Sequence, residues 1–253
     1  PLYSSAASDV YKRQISKNRN GDLYMGLKVL VVIPAYNEAL NIEKTVQDIH
    51  QNAPDVDYVV VNDGSKDNTL EVIQKNNFNH IDGFCNLGLF GAVQTGFKLA
   101  MKEDYDVVIQ FDGDGQHSAK FIDVMVKEIE DGNDIVIGSR FVTEKKPFTA
   151  RMIGSRLIAG AIKLVTGKKI MDPTSGFRAY GKACIKDYAL DMNNPPEPDT
   201  LVYMYRKKRK IKEIQVQMSE REFGESYLNL VNTIKYMSRM MVSIFLIQPF
   251  RKV

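Results

Sequence analysis

Only two cysteines, Cys85 and Cys184, occur in 253 residues. They are far apart and lack ligand-like spacing. They suit a reducing compartment and a role as small apolar fillers, and they argue against a disulfide-stapled scaffold. Charge of one sign is also scarce. The formal net charge is +3, so no global field points to nucleic acid as a partner. No apolar run reaches the about 18 residues expected of a membrane span, and no signal-peptide pattern opens the chain. Internal repeats and low-complexity linkers are missing too. What is left is the composition of an ordinary globular protein, with enough residues for one large α/β core.

The first residues stand apart. Ser4 to Gln14, "SSAASDVYKRQ", resembles the translation of a transposon-type sequencing adapter. Residues 1–24 are therefore expected to be a non-native, adapter-derived leader, with Met25 the first plausible native start. Without its four Lys/Arg and two Asp, the domain from 25 onward carries about +1.

From Met25 the pattern alternates. Short apolar runs at 28–34, 57–63, 80–85, 106–111 and 134–139 read as strands, the first ended by Pro34. Helical spacing fills 40–52, 68–75, 90–102 and 118–131, and Asp67 is placed to cap the second of these. This alternation predicts a mostly parallel sheet covered by helices on both faces. Ligands of such sheets sit beyond the carboxyl ends of the strands. One rim should then carry Pro34–Glu38, Asn62–Asp67, Asn86–Gly91 and Asp112–His117. After about residue 150 the rhythm changes. A helix over 150–166 precedes the loop "GKKIMDPTSGFRAY", a helical stretch over 199–209, a strand over 210–218 and an amphipathic helix from Leu228 to Ile247. That last segment is too short and interrupted to span a bilayer; it either packs on the core or lies at a membrane surface.

The chemistry concentrates at "FDGDGQH". Asp112 and Asp114 repel each other at the end of a buried strand, and a divalent cation would stabilise both. Their oxygens, with the amide oxygen of Gln116, suit Mg²⁺ or Mn²⁺ in a shell left open to phosphate and water. Elsewhere on the rim, Tyr36 offers a face for a base, and Glu38 and Asp63 offer acceptors to ring or ribose donors. Gly88 and Gly91 let backbone approach a ligand at a helix entrance. Each segment also has a plainer reading, as a polar turn or a helix start. His117 reads as a supporting or packing residue, and the basic run 206–210 as a solvated helix end.

Together the segments "PAYNE", "VVNDGSKDNT", "NLGLFGA", "FDGDGQH", "GSRF" and "DPTSGFRAY" resemble, in order, those of the family 2 glycosyltransferases. The likeness is strongest to the dolichyl- and polyprenyl-phosphate sugar synthase branch and its polysaccharide-making relatives. It implies a GT-A fold over 25–226, with 227–253 as a C-terminal amphipathic helix. It further implies that Pro34, Tyr36, Glu38, Asp63, Asn86 and Gly88 hold the nucleotide. Asp112, Asp114 and Gln116 would hold the metal beside the diphosphate. Arg140, Arg151 and Ser155 resemble an acceptor-phosphate cluster, and "REFGES" resembles a closing element whose Arg221 neutralises the leaving group. The implied reaction is inverting transfer from a nucleotide sugar to a polyprenyl phosphate or a growing glycan, at the inner face of the membrane on the cytoplasmic side. A phosphate acceptor needs no general base. A sugar hydroxyl would need one, and Glu197 and Asp199 are the candidates. A nucleotidyltransferase and a non-catalytic nucleotide-sugar-binding subunit of a membrane complex remain the alternatives.

Overall fold

The computed structural model describes residues 26–190, 196–219 and 230–252, with the side chains of 150, 151 and 230–234 left aside. The expected leader, residues 1–24, and Arg221 with its "REFGES" element lie outside the described residues.

Seven strands form one sheet: β1 (Val29–Ala35), β2 (Asp57–Asn62), β3 (His80–Asp82), β4 (Val107–Gln110), β5 (Ile135–Ser139), β6 (Arg178–Gly181) and β7 (Ile211–Gln215). Their order is β3-β2-β1-β4-β6-β5-β7. Every pairing is parallel except those of β6, which runs antiparallel to both β4 and β5. The helices are α1 (Ile42–Asn52), α2 (Thr69–Lys75), α3 (Gly88–Lys102), α4 (Ile122–Glu130), α5 (Ala150–Thr166), α6 (Lys182–Leu190), α7 (Thr200–Arg206) and α8 (Leu230–Val242).

The apolar strands are buried because helices cover both faces. On one face Val31, Ile33 and Val60 pack with Ile42, Val46 and Ile122. On the other, Leu30, Val32 and Val59 pack with Val93, Phe97 and Tyr188. This two-sided burial explains why the strands read as continuous apolar runs rather than alternating ones. Helix α3 lies close to β1: a Cβ on Gly96 would fall 2.3 Å from Val32 Cγ1.

The structure corrects the sequence reading in three places. Pro34 does not end β1 but sits within it, in register with Val61. The pairing of β1 with β4 stops at Val32–Gln110. Pro34 faces the side β4 has already left, where its missing N–H breaks no ladder bond. Second, "RAYG" and the residues after it are not loop: they form β6 and α6. A four-residue strand buried on both faces offers too few positions for a period to show. Third, Cys85 is exposed, in the loop after β3, and only Cys184 is a buried filler.

Beyond α8 the chain widens into a π-helical turn over Ser243–Ile247 and then tightens into a 3-10 turn over Gln248–Phe250. Met240, Ser243, Ile244 and Gln248 are buried, whereas Leu246, Ile247 and Phe250 are exposed. The C-terminal helix is thus packed on the core and apolar on its outer side as well. Among the described residues, no helix is long and apolar enough to cross a membrane.

Candidate active site

The parallel strands β1 to β4 end on one edge, and the loops that follow them meet there. The loop after β1 is pinned by the loop after β2. Ser65 Oγ accepts from the Asn37 N–H (3.0 Å), Thr69 Oγ1 from the Glu38 N–H (2.9 Å), and Asn37 Oδ1 from the Lys66 N–H (2.8 Å). Asp67 accepts from the Thr69 N–H (3.0 Å), but the N-cap position of α2 is Asn68, one residue later than expected, and it makes no side-chain cap bond. Asp63 is buried, and its Oδ1 accepts from the Leu87 N–H (2.7 Å), which ties the β2 end to the entrance of α3. At that entrance Asn86 Oδ1 accepts from the Gly88 N–H (3.1 Å), and Gly88 takes φ +76°, a conformation glycine adopts without strain. Tyr36 leaves its ring partly in solvent, while Glu38 accepts from Asn41 Nδ2 (2.7 Å). The structure therefore brings Pro34, Tyr36, Glu38, Asp63, Asn86 and Gly88 to one edge.

Asp112 and Asp114 follow β4 on the same edge. A Cβ on Gly113 would lie 3.0 Å from Pro34 O, so the turn between the two acids rests against the end of β1. His117 is buried, stacked on Phe177 at 4.8 Å and edge-on to Phe111 at 5.4 Å. Its Nδ1 accepts from the Asp112 N–H (3.0 Å), which puts the ring proton on Nε2, 3.6 Å from Asp112 Oδ2. Burial lowers the His117 pKa, and the nearby Asp112 and Asp114 charges oppose this. The neutral imidazole fixes the turn without cancelling the acids' charge.

Asp112 Oδ1 is buried with no hydrogen-bond partner. Asp114 Oδ1 accepts from the Gln116 N–H (3.1 Å). The Gln116 amide turns its donor end to Ser219 O (3.4 Å), so its oxygen is the end left for a cation. Among the described residues no group of three His, Cys, Asp or Glu side chains is preassembled to hold a metal. Two carboxylates and an amide oxygen instead fit a hard ion that completes its shell with phosphate oxygens and water.

A second group of charges lies across the segment 171–178. Arg140 makes a two-pronged ion pair with the fully buried Asp172, Nε to Oδ2 at 2.8 Å and Nη2 to Oδ1 at 3.0 Å. The Met171 and Asp172 N–H groups both donate to Glu213 (2.6 and 2.8 Å). Lys146 donates to Ser155 Oγ (2.8 Å) and Met171 O (2.7 Å), and Ser155 Oγ also meets Thr174 Oγ1 at 3.1 Å. Burial lowers the Lys146 pKa; Asp172 opposes that, and Arg140 and Arg156 add to it. Arg140 and Ser155 thus share one network, joined through Asp172 and Thr174. The Arg140 fork is already engaged by Asp172. Arg151 begins the same helix α5, but its side chain lies outside the described ones. Lys146 was missed from sequence, because "EKK" in a polar loop carries no signal that one lysine folds inward.

Arg178 was missed too. It is 1 % exposed, and its guanidinium donates to the carbonyls of Pro173 (2.6 Å), Ser175 (2.8 Å) and Pro196 (3.2 Å). It links the two acidic regions. On one side, a Cβ on Gly176 would lie 2.8 Å from Asp112 Oδ2. On the other, Pro196 precedes Glu197 and Asp199. Glu197 is paired with Arg239 (2.7 and 2.8 Å); burial raises the Glu197 pKa, and the Arg239 charge opposes that rise. Asp199 is buried beside Ser243 and Gln248. The basic run after α7 is less solvated than expected: Lys207 and Arg209 both pair with Asp187 (2.6 and 2.9 Å).

The family model for glycosyl transferase family 2 matches residues 30–189. Polyprenol monophosphomannose synthase of Mycolicibacterium smegmatis is 26% identical over 215 residues, covering 80% of this chain and 81% of that protein. Dolichol-phosphate mannosyltransferase of Pyrococcus furiosus is 33% identical over 224 residues, covering 83% of this chain and 62% of that protein. Among solved structures, glucosyl-3-phosphoglycerate synthase of Mycobacterium tuberculosis, in complex with Mn²⁺, UDP and phosphoglyceric acid, superposes with a TM-score of 0.67 at 18% identity. The match covers 94% of this chain and 86% of that one. At that identity the likeness speaks for the fold.

Proposed function

The chain belongs to glycosyl transferase family 2 and is an enzyme of the glycosyltransferase class; from that premise we propose that it moves a sugar from a nucleotide-sugar donor to a polyprenyl phosphate. The two relatives named for polyprenol and dolichol phosphate support that acceptor class. The observation that carries the donor half is the buried, unpartnered Asp112 Oδ1 beside Asp114. An orphaned carboxylate oxygen in a dry site is costly unless a cation or donor meets it.

In this reading Asp112, Asp114 and Gln116 hold Mg²⁺ or Mn²⁺. The ion supplies charge stabilisation for the departing nucleoside diphosphate. Tyr36 stacks on the base, while Glu38, Asp63 and the backbone around Pro34, Asn86 and Gly88 orient the nucleoside. Arg221 is proposed to add positive charge at the diphosphate. Lys146, Arg151 and Ser155 receive the acceptor phosphate, with Arg140 holding the Asp172 loop on which Lys146 and Ser155 rest. A phosphate oxygen is already anionic at neutral pH and attacks the anomeric carbon directly from the face opposite the leaving group, which inverts that carbon. No side chain has to remove a proton. The exposed Leu246, Ile247 and Phe250, with Arg251 and Lys252 beside them, fit the edge of a lipid surface where such an acceptor resides.

The test is a transfer screen with UDP- and GDP-sugars, with and without a divalent cation and a short polyprenyl phosphate. Transfer that requires both is the expected result. Transfer that is indifferent to chelation, or no uptake of any donor by folded protein, overturns the proposal.

A further inference from the structure

Helix α5 is apolar on two faces. On the inner one Met152, Ile158, Ala161 and Ile162 are buried, and Ile158 and Ile162 share a core cluster with Met240 and Ile244. The outer face is apolar as well. Ile153 is 47 % exposed, Leu157 57 % and Leu164 78 %, with the exposed Gly160 between the last two. Their spacing along the helix sets all four in one stripe. Beside it, Gly154 faces α8, where a Cβ would fall 3.1 Å from Met237 Sδ. Arg156 and the exposed Lys163 stand on the opposite flank. The exposed Phe148, just before the helix, lies against the Arg156 guanidinium at 4.6 Å. The π-helical turn packs on the same helix and exposes Leu246 and Ile247.

Charge around the stripe has one sign. Residues 145–171 hold seven Lys/Arg and no Asp or Glu, and residues 227–253 hold four and none. The remaining 23 of the 34 Lys/Arg share the rest of the chain with all 31 Asp/Glu. The small net charge therefore hides +11 in these two segments against −8 elsewhere. An exposed apolar stripe among cations, with no acid nearby in sequence, fits the headgroup boundary of an anionic bilayer. Apolar side chains enter the acyl region there, while Lys and Arg meet lipid phosphates. A second copy of the chain would bring the same positive charge to the contact and be repelled. Protein interfaces also exclude lysine from their cores.

We infer that the outer face of α5, continued by the exposed apolar side chains of the C-terminal turns, is a docking surface for a membrane of anionic lipids. The inner face of the same helix carries Ser155, which is buried and accepts from Lys146 (2.8 Å). A helix is about 10 Å across, so docking through the outer face would hold Ser155 and Lys146 within reach of the headgroup layer. The lipid contact proposed for the C-terminal turns then becomes one part of a larger surface that runs under the acceptor cluster. Docking needs neither sugar nor metal, so this surface can stand or fall apart from the transferase reading.

The test is sedimentation of the full chain with vesicles of phosphatidylcholine alone and of equal parts phosphatidylcholine and phosphatidylglycerol, at low and at high salt. Binding to the mixed vesicles at low salt is expected, weaker by about tenfold at high salt or on the neutral vesicles. The double variant Leu157→Glu, Leu164→Glu changes two exposed positions. It should bind the mixed vesicles about thirtyfold more weakly, with an unchanged melting temperature. Lys163→Gln should lose about fivefold on the mixed vesicles and nothing on the neutral ones. A wild-type chain that ignores the mixed vesicles at low salt overturns the surface, and so does a double variant that binds them like wild type. If the double variant does not fold, Leu164→Glu and Lys163→Gln decide. A wild-type dimer that the double variant dissolves, with no vesicle binding by either, gives the stripe to a second copy and also overturns it. Vesicle binding without transfer from any sugar donor sinks the transferase reading alone. Transfer to a short polyprenyl phosphate by a chain that ignores vesicles sinks this surface alone.

Discussion

The edge formed by β1 to β4 and the block built from residues 140–178, 197–199 and 243–248 carry charge in opposite ways. On the edge, acids stand where strands stop, each within a few residues of an apolar run, and their partners are mostly neighbouring loops. In the block, charges are paired across the fold: Arg140 with Asp172, Lys146 with Ser155 and Met171, Glu197 with Arg239, Asp199 with Gln248. The edge leaves acceptor atoms such as Asp112 Oδ1 for a ligand to satisfy. The block spends most of its charge holding itself in place. The difference teaches that a row of acceptor atoms can be specified by strand ends alone, whereas the block depends on a scaffold of long-range ion pairs.

Four substitutions would break or sharpen that contrast. Asp114→Ala should be the most severe for turnover, lowering kcat by about 10³-fold through lost stabilisation of the leaving group, while the melting temperature stays near wild type. Steady-state rates beside a thermal melt check this, and a fall in both would make Asp114 a structural residue. Arg140→Met should do the reverse. It strands the buried Asp172 charge and should cost about 3 kcal/mol of stability by urea titration; a neutral outcome would deny the block its scaffold role. Gly96→Ala drives a methyl into Val32, inside the shared core. Overpacking there should cost about 2 kcal/mol, with the donor's KM unaltered in the surviving folded protein.

Lys146→Ala should have the smallest effect, raising the KM for a short polyprenyl phosphate about tenfold through one lost charge-assisted contact. Its pH dependence has a defined sign. Because burial lowers the Lys146 pKa, this lysine loses its proton at a lower pH than an exposed one. Affinity for the anionic acceptor should therefore fall early on the alkaline side. Lys146→Arg, which stays charged, should move that fall to higher pH. Coincident KM–pH curves for wild type and the arginine variant would remove Lys146 from the acceptor site.

The same two regions differ in how readable they were. The rim residues Pro34 to Glu38, Asp63, Asn86 and Asp112 to Gln116 fall on one edge as expected, because short apolar runs between stretches of period 3.6 locate strand ends, and strand ends locate the rim. The small departures there were local, such as Pro34 lying inside β1 rather than closing it. Strand β6, by contrast, hid inside an apparent loop, because "RAYG" is too short to show alternation and opens on an arginine. Arg178 was unreadable for the same reason: nothing in a short polar-looking stretch says that three carbonyls will enclose a guanidinium. Lys146 and Gln248 belong to this class as well. Each gains its meaning from partners at least nine residues away in the chain.

The sequence by itself determined the parallel sheet, the acidic pair at the end of β4 and the family, because all three follow from local period and motif order along a continuous stretch. Only the tertiary structure decided that Arg140 is held by Asp172, that Lys146 turns inward, and that Ser243 and Gln248 grip Asp199. Those outcomes depend on which distant groups share a low-dielectric space, where an unpaired charge or acceptor is too costly to leave alone.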